Sequence, residues 1–312
     1  MITTLTVNPS IDLTMSVVRL EIGSPVLATG TTVEPAGKGV NVSRALALNG
    51  LQTTAIFPLN DVDRAGFGSL AEIMNVRPVR IVGELRTNVT IIEEDGCITR
   101  VKETGPRISS EELELLLATT VDAARSSDWV VASGSLPPGT SSSFYRNLAT
   151  RLEGTGTRLA VDTSGDALDE TVGSPVALLK PNRGELAELL GAPIETLGDV
   201  VDAATAVQSR GAEVVIVSLG SDGAVLVDQD GVRFGTTAVE AFGNTVGSGD
   251  AMLAGFIAAG SADEDPFVCS LAWAGAAVRS LRTAMSPLHP SDWHAVSVDL
   301  EIDRTRRLDL GQ

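Results

Sequence analysis

Glu111-Glu-Leu-Glu-Leu-Leu-Leu-Ala-Thr-Thr-Val-Asp-Ala-Ala-Arg-Ser126 has helical apolar spacing, and the short β-rich run Trp129-Val-Val-Ala132 follows it. The same alternation continues downstream. Spacing predicts helices over 142–154, 184–190 and 200–210, and strands over 159–162, 177–179 and 214–218. Strands that alternate with helices at this interval imply a mostly parallel sheet covered on both faces, and hence an α/β fold. Upstream, residues 2–7 read as a first strand ending at Asn8-Pro9, 40–49 as a helix stopped by Gly50, and 53–58 as the next strand.

Two stretches break the pattern. Residues 88–93 and 98–103 flank Glu94-Asp95-Gly96, a hairpin signal that suggests a small β subdomain. Residues 224–239 read as another hairpin, with its turn at Asp230-Gly231. A glycine loop over 243–249 then leads into helices expected at 251–259 and 266–281, and the charged tail beyond Pro290 reads as a frayed end. No repeat or linker divides the 312 residues, so a single domain over 1–312 is expected.

The formal charge of −17 argues against nucleic acid and anionic lipid as partners, because both select for excess Lys and Arg. It does not exclude a phosphorylated small molecule, which a few local cations and backbone amides can hold. Cys97 and Cys269 form no metal-binding or disulfide pattern. Without a leader signal or an apolar run of membrane length, a cytoplasmic location is expected.

Several loops expected at the carboxyl ends of strands carry polar or glycine-rich sequence, where ligands of open α/β sheets bind. Gly243-Asn-Thr-Val-Gly247-Ser248-Gly249-Asp250 precedes an apolar helix. Gly247 and Gly249 let N–H groups converge, and the helix start adds a positive dipole end suited to a transferring phosphoryl group. Asp250 beside it could take the proton from an attacking hydroxyl. The alternative is that Asp250 caps the helix above a tight turn. Pro35-Ala-Gly37-Lys38-Gly39-Val-Asn41 resembles a P-loop but has Gly39 where magnesium would need Ser or Thr. It could still grip a sugar or a phosphate. Asn182 and Glu185 read either as a capping box or as groups facing magnesium-bound phosphates. Asp12 could hold sugar hydroxyls or be a turn residue, while Arg86 and Lys102 could clamp a phosphate or be solvated. His289 and His294 suggest no role, and no Gly-x-Ser-x-Gly elbow is present.

Taken in order, these segments resemble the ribokinase-like (PfkB) carbohydrate kinase family, in its branch of phosphosugar kinases. Asn244 to Asp250 with Ala251-Met-Leu-Ala-Gly-Phe looks like the C-terminal signature; Asn8-Pro-Ser-Ile-Asp12 and Gly37-Lys-Gly-Val-Asn41 look like the N-terminal sugar-binding segments. Ser133-Gly-Ser-Leu-Pro-Pro-Gly139, Val161-Asp-Thr-Ser-Gly165, Lys180-Pro-Asn182-x-x-Glu185 and Ser218-Leu-Gly220-x-x-Gly223 follow the same order. The resemblance spans about residues 2 to 280. Arg86-Thr-Asn88-Val-Thr-Ile and Gly105-Pro-Arg-Ile-Ser109 are most similar to the 1-phosphofructokinase group.

The resemblance implies a three-layer α/β/α fold with a mostly parallel sheet and a small β-sheet lid from about 10–35 and 86–105. It implies ATP and Mg2+ as cofactors, and phosphorylation of a ketohexose monophosphate. Fructose 1-phosphate, giving fructose 1,6-bisphosphate, is the first expectation; tagatose 6-phosphate and fructose 6-phosphate are alternatives, and an inactive sugar-phosphate-binding module is a further one. Asp250 would be the base, with Gly247, Ser248 and Gly249 forming the anion hole. Asp12, Gly37, Lys38, Asn41, Arg86, Asn88 and Lys102 would bind the phosphosugar. Asn182, Glu185, Ser218, Gly220 and Gly223 would serve the nucleotide, with Glu185 reaching the metal through water. The lid would pair two subunits. Departures include Ala36 in place of the usual first glycine of the sugar loop and Ser248 in place of an alanine. Residues 23–29 lack the basic residue that relatives often carry, and Lys102 stands where Asn is usual.

Overall fold

The computed structural model describes residues 1–239, 246–261, 264–279, 285 and 287–309. Its strands are β1 (Ile2–Thr6), β2 (Ser10–Val17), β3 (Ala28–Ala36), β4 (Thr53–Leu59), β5 (Asn75–Arg80), β6 (Arg86–Glu93) and β7 (Ile98–Lys102). They continue with β8 (Trp129–Ser133), β9 (Arg158–Asp162), β10 (Leu178–Leu179), β11 (Val214–Ser218), β12 (Ala224–Asp228), β13 (Gly231–Thr237) and β14 (Val296–Asp299). The helices are α1 (Lys38–Leu48), α2 (Arg64–Phe67), α3 (Ser110–Ala124), α4 (Phe144–Leu152) and α5 (Asp166–Thr171). After them come α6 (Arg183–Leu190), α7 (Leu197–Gln208), α8 (Ser248–Ala258), α9 (Pro266–Val278) and α10 (Pro290–His294).

A ten-stranded sheet runs β14-β13-β12-β11-β10-β9-β8-β1-β4-β5, parallel from β11 to β5 and antiparallel at the other edge. Its central strands are buried on both sides, and alternate residues feed two cores. Val130, Ala132, Leu159 and Val161 pack with α3, α4, α6 and α7; Trp129, Val131 and Ala160 pack with α1, α8 and α9. The three-layer α/β/α arrangement implied by the resemblance is therefore present. A separate four-stranded sheet, β3-β2-β6-β7, stands beside it as the small β unit. No helix among the described residues is long and apolar enough to cross a membrane, and both cysteines are free.

The structure departs from the sequence reading in several places. Asp228 pairs with Gly231, so the hairpin turn is Gln229-Asp230 rather than Asp230-Gly231. The tail is not simply frayed: β14 extends the main sheet, and residues near 304–308 bond back to the start of α7. Helix α8 starts at Ser248, three residues earlier than expected, because Gly247 takes a left-handed φ of 85° and becomes its N-cap. The edge strand β5 was not foreseen. Gly243, Asn244 and Thr245, the start of the glycine-loop motif, lie outside the described residues, as do residues 280 and 281 of the second helix.

Candidate active site

The carboxyl ends of β1, β8, β9, β10 and β11 open into one cleft of about 510 Å3, roofed by the four-stranded sheet. The sequence at each strand end decides what faces it. Thr6 at the end of β1 accepts a hydrogen bond from Val40 N at 2.9 Å, which fixes the first turn of α1. A Cβ at Gly39 would lie 2.6 Å from that same hydroxyl, so only glycine lets the helix start this close to the strand. Lys38 and Asn41 are thereby aimed into the cleft.

Asp250 is the third residue of α8 and is 7% exposed. Its Oδ2 accepts a hydrogen bond from Asn41 Nδ2 at 2.8 Å. The N-cap of α8 is Gly247, which has no side chain to cap with, and Asp250 is the acidic residue of the first turn, its side chain bonded to Asn41. Burial, reinforced by the negative charge of Asp162, pushes its carboxyl up to about 6; Lys38, Asn41 and Lys180 oppose that rise. Such a carboxylate is a proton acceptor matched to neutral pH.

Beside it runs a chain of alternating charges. Asp162, ending β9 and 1% exposed, meets Lys38 Nζ at 2.6 Å and Lys180 Nζ at 3.0 Å; Lys38 also lies 3.8 Å from Glu185. Burial alone would raise the Asp162 carboxyl, but the two lysines outweigh it and hold it below the usual range. Burial likewise opposes the charge on Lys38, and Asp162, Glu185 and Asp250 together overcome it, so its pKa is raised. Lys180 also reaches the glycine loop, with its Nζ 3.3 Å from where a Gly249 Cβ would sit. Asp162 and Lys180 lie within two of the motif segments, but neither was among the candidate site residues. The available signal was a charged residue at the carboxyl end of each of two adjacent buried strands.

The capping-box reading of Asn182 and Glu185 is observed. Asn182 Oδ1 accepts from Glu185 N at 2.9 Å, and Glu185 Oε2 accepts from Asn182 N at 2.8 Å, a complete capping box. Both nevertheless line the cleft, and Glu185 turns its other oxygen to Lys38. Among the described residues there is no cluster of three His, Cys, Asp or Glu side chains that could cage a metal.

From the roof, Asn88 Nδ2 donates to Asp12 Oδ1 at 2.9 Å and to Ser10 Oγ at 3.0 Å. Arg86 donates to the carbonyls of Asn8 and Glu103, and burial lowers its pKa despite Asp12 nearby. Each Nη of its guanidinium thus has one backbone partner, while its buried Nε has none. Lys102 pairs in register with Asn88 and Arg100 with Thr90, which puts both cations on the face that lines the cleft. Neither forms an ion pair with a carboxylate among the described residues. Arg100 shares a strand face with Lys102 by their two-residue spacing, but which face of the hairpin lines the cleft is set by its packing and was not legible in the sequence.

Gly37, Gly247 and Ser218 also border this cleft, whereas Ser248, Gly220 and Gly223 do not. Those three line an adjoining pocket of about 400 Å3 with Thr237, Met252, Leu271, Ala274 and Val278. Ser218 and Gly249 border both spaces. The expected residues therefore fall into a polar chamber and an apolar one that meet at the start of α8.

Known proteins resemble this chain in sequence and in fold. The chain is 31% identical over 256 residues to the 1-phosphofructokinase of Vibrio cholerae, covering 81% of each protein. It is 36% identical over 258 residues to the ATP-dependent 6-phosphofructokinase isozyme 2 of Mycobacterium tuberculosis, covering 81% of this chain and 76% of that protein. Among solved structures, phosphofructokinase-2 from Escherichia coli in complex with substrates and products superposes with a TM-score of 0.85 at 28% identity, over 94% of this chain and 97% of that one. The profile described as pfkB family carbohydrate kinase matches residues 5–286, and on that breadth the chain belongs to the pfkB family of carbohydrate kinases.

Proposed function

We propose that the protein transfers the γ-phosphate of ATP to a ketohexose monophosphate, with fructose 1-phosphate as the first candidate acceptor. The observation that carries this reading is the buried Asp250, raised to about 6, facing a chamber whose roof holds the unpaired cations Arg100 and Lys102. A neutral sugar would leave those two cations without a counterion; the acceptor's own phosphate supplies one.

In this reading Asp12 and Asn88, already bonded to each other, hold sugar hydroxyls. Asp250 takes the proton of the attacking hydroxyl, and Asn41 keeps the carboxylate aimed. The N–H groups at the start of α8, with Gly247 to Gly249, face the phosphoryl group as its charge develops, and Lys180 stands beside them. The triphosphate runs past Asn182, Glu185 and Ser218, and the base enters the apolar pocket behind Gly220, Gly223 and Ser248. A magnesium ion suits this site only if phosphates and water supply most of its oxygen ligands, since the described residues offer Glu185 and no cage. Bound there, it would neutralise phosphate charge.

Fructose 6-phosphate and tagatose 6-phosphate remain second readings, because one relative is named a 6-phosphofructokinase and the roof cations suit any terminal phosphate. The lid is read as a dimer surface within a single kinase domain. Val33, Leu13, Val89 and Val101 form a lateral row on the face opposite Asp12, and Val33 and Val101 are 62% and 59% exposed. Release of ADP, followed with the three phosphosugars under magnesium and ATP, tests the acceptor. Turnover of fructose 1-phosphate with the highest kcat/KM supports the first reading. Turnover of none of them refutes the phosphosugar assignment and favours an inactive binding module.

A further inference from the structure

Asp222 is a buried carboxylate for which phosphoryl transfer has no use. It closes the turn Gly220–Asp222 between β11 and β12, whose neighbours Ser221 and Gly223 line the apolar pocket. Asp222 itself is 7% exposed and turns its oxygens the other way, toward the C-terminal segment. Oδ1 accepts from Arg306 Nη2 at 3.2 Å and Oδ2 from Asp309 N at 2.8 Å. The carbonyl of Asp309 in turn accepts from Arg183 Nη1 at 2.7 Å. Arg183 is the first residue of α6, next to Asn182 in the polar chamber.

The segment is held firmly enough to act as a tie. Leu308 is 5% exposed, and its N–H donates to Glu195 O at 2.9 Å. Leu197 and Gly198 donate to the carbonyls of Arg306 and Arg304, and the Arg306 guanidinium lies 5.1 Å from the centroid of the Phe234 ring. A Cβ at Gly198 would come within 2.8 Å of Arg304 O, so glycine is what lets the segment seat this closely.

We infer that Asp222, Arg306 and the backbone of Asp309 are positioning residues for the nucleotide, joining the turn behind the apolar pocket to the start of α6. This rests on reading that pocket as the nucleotide site. The turn carries glycines at φ 64° and 104°, which the chain adopts only at an entropic cost when nothing holds them. A tie made before binding removes that ordering cost from the affinity for nucleotide. It reaches the polar chamber only indirectly, through Arg183 at the start of α6, so its main effect falls on the nucleotide.

Steady-state kinetics with ATP and phosphosugar varied separately, alongside melting curves, test the inference. Asp222→Asn and Arg306→Ala should each raise KM for ATP roughly five- to thirty-fold. The KM for the sugar should stay within about twofold, and the double variant should be little worse than the stronger single one. Arg306→Lys should recover part of the loss. Arg306 is 40% exposed in its side chain, so its variants carry the test should Asp222→Asn fail to fold. A KM for ATP within about twofold of wild type, even with a lower melting temperature, overturns the inference and leaves the segment a structural brace. Ala274→Leu, placed in the apolar pocket itself, separates the two claims. If it leaves KM for ATP unchanged, the nucleotide pocket is misassigned. If it raises KM while the tie variants do not, only the tie is wrong.

Discussion

Asn41 and Asp250 stand 209 residues apart in sequence and 2.8 Å apart in space, the amide of one donating to the carboxylate of the other. The bond joins the first turn of α1 to the first turn of α8 beside the cleft. Replacing the carboxylate while keeping the shape tests what it does. Asp250→Asn should lower kcat by about 10²- to 10⁴-fold, with ATP affinity largely kept; a loss of tenfold or less would point to a structural role.

Because burial lifts the Asp250 carboxyl to about 6, kcat/KM should rise with pH through that value and level off above it. A profile flat from pH 5 to 8 would contradict the assignment of Asp250 as base.

The same shift makes a statement about stability. The folded pKa of about 6 exceeds the ordinary 3.8, so folding takes up a proton between these values and charged Asp250 destabilises the fold above them. The penalty is at most about 3 kcal/mol at pH 8. Asp250→Asn should therefore raise the melting temperature at pH 8 and change it far less at pH 4. Equal effects at both pH values would show that ionisation is not the cause.

Asp162 works in the opposite sense. Its folded pKa is depressed, so its contribution is present above the ordinary value and is lost as pH falls through the lower folded one. Asp162→Ala would take from Lys180 its ion-pair partner and leave Lys38 with Glu185 alone, at 3.8 Å. The expected cost in urea unfolding is about 3–5 kcal/mol. A cost under 1 kcal/mol would mean that water reaches both ammonium groups.

Arg100→Ala and Lys102→Ala should each raise KM for the phosphosugar roughly tenfold or more and leave KM for ATP near its original value. The effect should shrink at high salt, since both side chains are exposed. Val101→Asp, on the other face of the same strand, should turn a dimer into monomers by light scattering and so test the lid surface.

The central alternation of strands and helices was readable because β8, β9 and β11 are buried on both faces and announce themselves as short apolar runs. The hairpin at 86–102 was readable from its turn. β5 was not, because its burial alternates and a proline lies inside it. Asp250, Lys38 and Asn182 could be picked out from motif order. Asp162 and Lys180 look in sequence like ordinary charged residues, and only the parallel register of β9 and β10 brings them within an ion-pair distance. The role of Asp222 was similarly hidden, since it depends on a tail that reads as featureless.

The four strands of the lid share no hydrogen-bonded neighbour with the ten-stranded sheet, yet they supply Asp12, Asn88, Arg100 and Lys102. Asp250, Asp162 and Lys180 instead belong to the most deeply packed part of the molecule. On the proposed roles, mutations that retune the acceptor therefore fall where folding tolerates change, whereas mutations of the chemistry fall where it does not. Such a division would let the acceptor change while the phosphoryl-transfer step stays fixed. Directed evolution toward a new acceptor should accordingly begin in β2, β6 and β7.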